Sequence, residues 1–171
     1  MMDKIRTHFH FCFIAATLLF SGGLAAAPQN GMGIYLGVIG ASEDSVTSNG
    51  LSLGVDALFV IAPNWSLSPY LMISAERDTY SRTITDGLAG IALRRWQGDW
   101  FIGVHAFEHD RLIIDNGTVQ NSAYGLSGGL TAGFEQANGW GAQAQADLFE
   151  STYIRGTQRN ALRVHLTYRW H

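Results

Sequence analysis

The densest run of side chains that could do chemistry is Gly103-Val-His105-Ala-Phe-Glu108-His109-Asp110-Arg111. Two imidazoles four residues apart, with carboxylates beside them, look like metal ligands at first sight. The spacing decides otherwise if the run is a strand: residues four apart then share a face but stand about 13 Å from each other, too far for one ion to bridge. No metal site is expected. Glu108, His109 and Asp110 remain as a rim cluster that is either simply solvated, or able to hold a cation weakly or accept a proton. A second set, Asp56, Glu76, Glu135, Asp147, Arg163, His165 and Arg169, recurs at alternate positions among apolar residues. Asp147 and Arg163 lie on neighbouring segments and are expected to face each other. Charged pairs of this kind satisfy one another inside a narrow space, because an unpaired buried charge is costly. The functional alternatives are a proton or ion path, or a gate that opens when the pairs switch. The glycine-rich stretches 33–40 and 125–133 lead into no helical pattern, so the phosphate-cradling mechanism of glycine loops is missing. Asn64-Trp65-Ser66 and Asn116-Gly117-Thr118 match glycosylation sequons.

The chain that must position these residues has 171 of them, 47% hydrophobic and 15% charged, with 20 Gly and 3 Pro. That length suits one domain. The apolar content excludes wholesale disorder, and a net charge of −3 argues against a nucleic-acid partner. Residues 1–27 read as a secretory signal peptide: Lys4 and Arg6 start it, an apolar stretch runs from Phe11 to Phe20, and Ala25-Ala26-Ala27 supplies small residues for cleavage before Pro28. A retained membrane anchor is the rival reading, and the apolar core is short for it. Residues 28–171 then form the mature domain. The single Cys, Cys12, leaves with the leader, so no disulfide, thiol chemistry or cysteine metal site is available, and no cofactor is expected.

From Gly31 onward apolar and polar residues alternate with period two, the mark of strands with one apolar face. Eight are read: 31–42, 51–61, 65–78, 87–96, 100–110, 122–136, 140–151 and 160–170. Most approach or exceed the 9–11 residues, roughly, that a tilted strand needs to cross a bilayer. Connections after the second, fourth and sixth strands are tiny: Ala62-Pro63-Asn64, Gln97-Gly98-Asp99 and Ala137-Asn138-Gly139. Those after the first, third, fifth and seventh (43–50, 79–86, 111–121 and 152–159) are longer and polar. Short turns at one end and long loops at the other is how outer-membrane barrels sort their connections.

Trp65, Trp96, Trp100 and Trp140 each abut a short turn, and Trp170 is penultimate. All five are expected in an aromatic girdle at one end, where an indole finds headgroups for its N–H. Tyr80, Tyr124 and Tyr153 could form the opposite one. In the last strand Leu162, Val164, Leu166, Tyr168 and Trp170 share one face, and Arg163, His165, Thr167, Arg169 and His171 the other. A soluble lipocalin-like barrel would turn the apolar face inward. Strand seven argues against that: Ala142, Ala144 and Ala146 alternate with Gln143, Gln145 and Asp147, which suits lipid outside and a polar interior. A three-residue turn at 137–139 pairs Phe134, Ala132 and Leu130 with Ala142, Ala144 and Ala146, matching apolar faces. Closure is compulsory, since hydrocarbon offers no partner for an open edge. The expected fold is all-β: an eight-stranded antiparallel up-and-down transmembrane β-barrel, too narrow for a wide pore. Arg94 and Arg95 are adjacent, so one must face outward.

Signal peptide, eight strands, alternating loop lengths and the closing Leu166-Thr167-Tyr168-Arg169-Trp170 run (Leu-x-Tyr-x-Trp) together resemble the small outer-membrane barrels of Gram-negative bacteria, of the OmpA membrane-domain and OmpX type. Such chains commonly end on an aromatic residue read by the barrel-assembly machinery, whereas here His171 follows Trp170. The resemblance implies a monomer in the outer membrane with both termini periplasmic, surrounded by lipid and lipopolysaccharide. It implies loops at the outer end, including Glu43, Asp44, Arg155 and Arg159, that make contacts for envelope integrity, adhesion or ligand binding, without enzymatic activity. Some barrels of this class modify the acyl chains of lipid A. The deacylase among them uses a His-x-Ser-Asn run, but here His165-Leu166-Thr167 keeps only the imidazole and a hydroxyl, and no catalytic residue carries over. An acyl-modifying enzyme and a narrow channel stand as alternatives.

Overall fold

The computed structural model describes residues 28–43, 45–152 and 159–171. The leader assigned to residues 1–27 lies outside the described residues, as do Asp44, Tyr153 and Arg155. Eight strands follow one another: β1 (Gly31–Glu43), β2 (Val46–Ala62), β3 (Trp65–Asp78), β4 (Thr83–Gln97), β5 (Trp100–Asp115), β6 (Thr118–Glu135), β7 (Trp140–Thr152) and β8 (Arg159–Trp170). Each pairs antiparallel with its sequence neighbour, and β1 closes on β8 over the register from Met32 opposite Trp170 to Glu43 opposite Arg159. The result is a closed up-and-down barrel. The start of β1 and the end of β8 lie at the end of the short turns, here called the terminal end; the other is the distal end.

Period-two alternation fixes which side chain faces where. In β8, Leu166 is 63% exposed on the outer wall while its neighbour His165 is 1% exposed inside. The same holds around the barrel: Leu36, Val38, Leu51, Leu71, Ile73, Val104, Leu130 and Val164 stand outside, forming an apolar belt far larger than the scattered patches of soluble monomers. The turn at 137–139 sets the β6–β7 register as its length requires, with Leu130, Ala132 and Phe134 opposite Ala146, Ala144 and Ala142. At Pro63-Asn64 two residues turn the chain and a bulge between Val60 and Ala62 adds the third. The parity of a three-residue turn is thereby kept, and Asp56 points inward.

The distal connections are shorter than their sequence suggests. β1–β2, β4, β5 and β6 extend through segments expected as loops, so that residues 46–50, 83–86, 111–115 and 118–121 are strand. These stretches carry Val46, Thr47, Thr83, Ile84, Thr85, Ile113, Ile114, Thr118 and Val119, and β-branched residues favour a pleated ladder even where water, not lipid, lies outside. Asn116 and Gly117, with φ of 48° and 77°, form the two-residue hairpin between Asp115 and Thr118. Positive φ at both positions is the turn that matches strand twist, and Asn-Gly is its commonest sequence. Between β3 and β4 the Asp78 carboxylate accepts hydrogen bonds from the backbone N–H groups of Tyr80 and Arg82, at 2.9 Å each, and so braces a four-residue loop.

The interior is not purely polar. Tyr35, Tyr70, Met72, Leu88, Ala92 and Phe107 pack together at mid-height, Leu58, Trp96 and Phe101 near the terminal end, and Ile39, Ala41 and Ala161 towards the distal end. Eight strands leave a space that side chains can fill, and these clusters fill part of it.

Trp96 therefore departs from the expected girdle. The turn after β4 has two residues, Gly98 and Asp99, with Gln97 opposite Trp100 and Trp96 opposite Phe101. A three-residue turn would have put Trp96 and Trp100 on one face; two residues put them on opposite faces. Trp96 lies inside, its ring 4.8 Å from that of Phe101 and tilted by 49° to it, donating its indole N–H to Ser66 Oγ at 2.8 Å. Trp65, Trp100, Trp140 and Trp170 stand outside at the terminal end. The same parity sends Arg94 inward and Arg95 outward, where its guanidinium lies 6.0 Å from the Trp65 ring.

Candidate functional site

The polar residues that line the lumen form three groups stacked along the barrel axis. Nearest the terminal end, Asp56 on β2 is the hub. Arg169 on β8 donates to it twice, at 2.9 and 3.1 Å; Arg94 on β4 donates at 3.3 Å and Ser68 on β3 at 2.6 Å. Arg169 also donates to Glu135 on β6 at 2.8 Å. Arg94 reaches Tyr35 Oη at 3.2 Å and Gln143 Oε1 at 3.3 Å, with its guanidinium 4.9 Å over the Phe101 ring. Seven of the eight strands are thus tied through one carboxylate and two guanidiniums.

At mid-height Asp147 is ion-paired with Arg163 and accepts from His105 Nε2 at 3.0 Å. Arg163 also lies 5.4 Å over the Phe107 ring. Asp147 and Arg163 sit on neighbouring strands, diagonal to one another, because Gln145 rather than Asp147 is directly opposite Arg163. Here too Ser52 Oγ lies 2.8 Å from His165 Nε2. A serine hydroxyl on an imidazole is the first half of an activated nucleophile. The other half is missing: among the described residues no hydrogen-bond partner meets His165 Nδ1, so no carboxylate orients the ring, and both residues are buried. The sequence had set Thr167 beside His165; the histidine instead finds its partner on β2.

At the distal end Arg159 bridges two carboxylates, pairing with Glu76 and, at 2.6 Å, with Asp86. Arg111 donates to the other oxygen of Asp86 at 2.8 Å, and Ser48 and Ser74 donate to Glu76 at 2.6 and 3.2 Å. Arg159, expected among the outward loop contacts, is turned into the lumen and engaged there. Sequence reasoning missed Arg94, His105, Arg111, Asp86 and Arg159 as lumen residues. For Asp86, Arg111 and Arg159 the signal was available, in the continuation of the alternation beyond the ends assigned to the strands.

Asp56, Glu76, Glu135, Asp147, Arg163, His165 and Arg169 all face the lumen, in these three groups rather than one. The rim cluster is not assembled. His109 is buried inside while Glu108 and Asp110 are exposed on the outer wall, since adjacent strand residues point to opposite faces. Among the described residues no group of three or more His, Cys, Asp or Glu is placed to hold a metal ion.

Chemically, the arrangement is a set of crossed, charge-assisted hydrogen bonds between strands far apart in sequence. Removing one partner of such a buried pair costs about 3–5 kcal/mol, because the other is left charged and dry. What this arrangement does is hold strands of the wall together across the lumen.

No family model matches the sequence, and no curated protein matches it. Among solved structures the chain is similar to Neisserial surface protein A, with a TM-score of 0.56 and 9% identity over 85% of this chain and 99% of that one. It is similar also to Ail, the attachment invasion locus protein of Yersinia pestis, with a TM-score of 0.54 and 11% identity over 84% of this chain and all of that one. At such identities the likeness is one of fold: this chain has the architecture of the small eight-stranded outer-membrane β-barrels.

Proposed function

We propose that the protein is a non-enzymatic barrel of the bacterial outer membrane whose distal hairpins form a contact surface for adhesion, ligand contact or envelope integrity. One observation carries this reading: the barrel has its polarity inverted relative to a soluble one, with hydrocarbon-like side chains outside and crossed ion pairs inside. The wall then matches lipid, and the lumen is a plug rather than a path. In this reading residues 1–27 are the export signal, both termini are periplasmic, and the barrel is inserted by the assembly machinery as a monomer among outer-membrane lipid and lipopolysaccharide. The descriptions of the two similar barrels, a surface protein and an attachment and invasion protein, agree with a surface role.

The contact surface differs from the one the sequence suggested. Arg159 is withdrawn from it, and the described tips present Ser45, Thr47 and Asn49; Thr79, Tyr80 and Ser81; Asn116, Thr118, Val119 and Gln120, together with the exposed Arg77 and the partly exposed Arg82. Tyr80 and Val119 are its exposed large side chains. Binding there would rest on hydrogen bonds, on the Tyr80 ring and on the Arg82 guanidinium 5.2 Å from it.

Three measurements test this. Membrane fractionation with unboiled gel migration should show a heat-modifiable band in the outer membrane; recovery from the periplasm without detergent overturns the reading. Planar bilayers should show no steady single-channel steps, and steady steps would make the protein a channel. Incubation with lipopolysaccharide should leave the mass of lipid A unchanged; loss or gain of an acyl chain would make it an enzyme.

A further inference from the structure

The distal mouth of the lumen holds a cavity of about 210 Å³. Arg159 lines it, but its guanidinium is spent on Glu76 and Asp86. Two other lining groups keep unspent capacity. The Glu43 carboxylate, at the end of β1, has no ion-pair or hydrogen-bond partner among the described residues. Arg82, in the loop after β3, donates to Asp78 through Nε at 2.7 Å, and the two terminal amino groups of its guanidinium make no hydrogen bond among the described residues. Opposite charges on one cavity gain by pairing directly, and these do not. Asp78 anchors the guanidinium at the end of β3, while Glu43 ends β1, two strand spacings or about 10 Å away.

The rest of the wall is aliphatic. Val46 on β2, Ile84 on β4 and Ile113 on β5 line the same cavity, and none of them belongs to the three apolar clusters that fill the lumen. A mouth that had only to be wet would be served by polar side chains at these positions, as barrel interiors usually are. The cavity therefore offers one free carboxylate, one half-used guanidinium and an apolar surface between them. Its volume equals that of about seven liquid waters, well below the roughly 300–1,000 Å³ of sites for drug-sized ligands.

We infer that this cavity binds a free α-amino acid with a small aliphatic side chain. The ammonium donates to Glu43, the carboxylate accepts from the terminal amino groups of Arg82, and the side chain lies against Val46, Ile84 and Ile113. Two hydrogen bonds of about 2.9 Å and the roughly 3 Å between the two charged groups of one amino acid add to about 9 Å, close to the spacing of the strands that carry the partners. A simple amine would leave the guanidinium unused, and a simple acid would leave Glu43 unused. The inference goes beyond the contact-surface reading and needs only the barrel and its open distal mouth.

The test titrates the detergent-solubilised barrel at pH 7 with L-valine, with isobutylamine (valine without its carboxylate) and with isovalerate (valine without its ammonium), and reads backbone amide shifts by NMR. Valine should move the amides of Ser48, Ile84 and Ile113, which all line the cavity, and should bind about tenfold more tightly than either half, the range of one charge-assisted hydrogen bond. Glu43→Gln should lower valine to the level of isovalerate. Arg82→Gln should lower it to that of isobutylamine, and its loop stays braced because Asp78 also accepts the backbone N–H groups of Tyr80 and Arg82. Glu108→Gln, on the outer wall, should bind as the parent does. Heat-modifiable migration confirms that each variant is folded. No saturable binding of valine, equal binding of valine and either half, shifts that avoid the three cavity amides, or an affinity unchanged in Glu43→Gln or Arg82→Gln overturns the inference. Failure of the outer-membrane reading looks different: recovery of the protein from the periplasm, with this titration unaffected.

Discussion

Replacing Asp56 by Ala is the sharpest probe of the lumen. The carboxylate receives two hydrogen bonds from Arg169, one from Arg94 and one from Ser68, and it is 2% exposed. Without it, two guanidiniums face each other in a space sealed from water. Arg169 keeps Glu135, and Arg94 keeps only neutral acceptors, Tyr35 and Gln143, at 3.2 and 3.3 Å. Breaking a buried pair costs about 3–5 kcal/mol. The surviving Arg169–Glu135 pair places the expected loss in the lower half of that range, about 3–4 kcal/mol, or two to three orders of magnitude in the folding equilibrium. Urea unfolding in lipid vesicles, followed by the fluorescence of the tryptophans, measures it. Leu166→Ala is the counterpart: that side chain faces outward, so in lipid it should lose only its transfer from water, about 2 kcal/mol, with no cavity left behind, whereas in a soluble barrel read inside out the cavity of a core truncation would raise the cost towards roughly 5 kcal/mol. An Asp56→Ala loss below about 0.5 kcal/mol with a large Leu166→Ala loss would refute the inverted polarity on which the functional reading stands.

Three further outcomes follow from the geometry. Gly129→Ala should abolish the heat-modifiable folded band, because its Cβ would lie 1.9 Å from a backbone oxygen of β7, while Gly40→Ala, with open space around it, should migrate as the parent does. Replacing Asn116-Gly117 by Ala-Ala forces two side chains into positive φ and should cost about 1–2 kcal/mol per residue on vesicle unfolding, with the barrel still forming. Val164→Arg puts a charge on the outer wall about six residues above the Trp170 girdle, near the bilayer centre; it should destabilise by about 2–4 kcal/mol in vesicles, and a neutral effect there would mean that this wall does not face lipid.

Much of the architecture is legible one strand at a time. Leu162 to Trp170 alternates so regularly that its two faces are assigned without any neighbour, and the three residues of Ala137-Asn138-Gly139 fix the register of β6 on β7 by themselves. Polarity of composition misled where it stood in for structure: Asn116-Gly117 carries the strongest short hairpin signal in the chain, but within a polar stretch it read as part of a long loop. Thr83 to Asp86 and Arg111 to Asp115 read as loop for the same reason, although both are strand, the second with a bulge between Ile113 and Ile114.

Alternation along a strand and the length of a turn are local properties, and they are enough to set the number of strands, the apolar outside and closure of the first strand on the last. They leave undecided every question that hangs on one residue of parity or on the far side of the lumen. The two-residue turn at Gly98-Asp99 sends Trp96 inside and separates Arg94 from Arg95. The partners of Asp56, up to 113 positions away, and the withdrawal of Arg159 from the surface to Glu76 and Asp86 follow from closing the cylinder. A buried charge takes whichever opposite charge closure brings within reach, and that distance exists in three dimensions and nowhere along the chain.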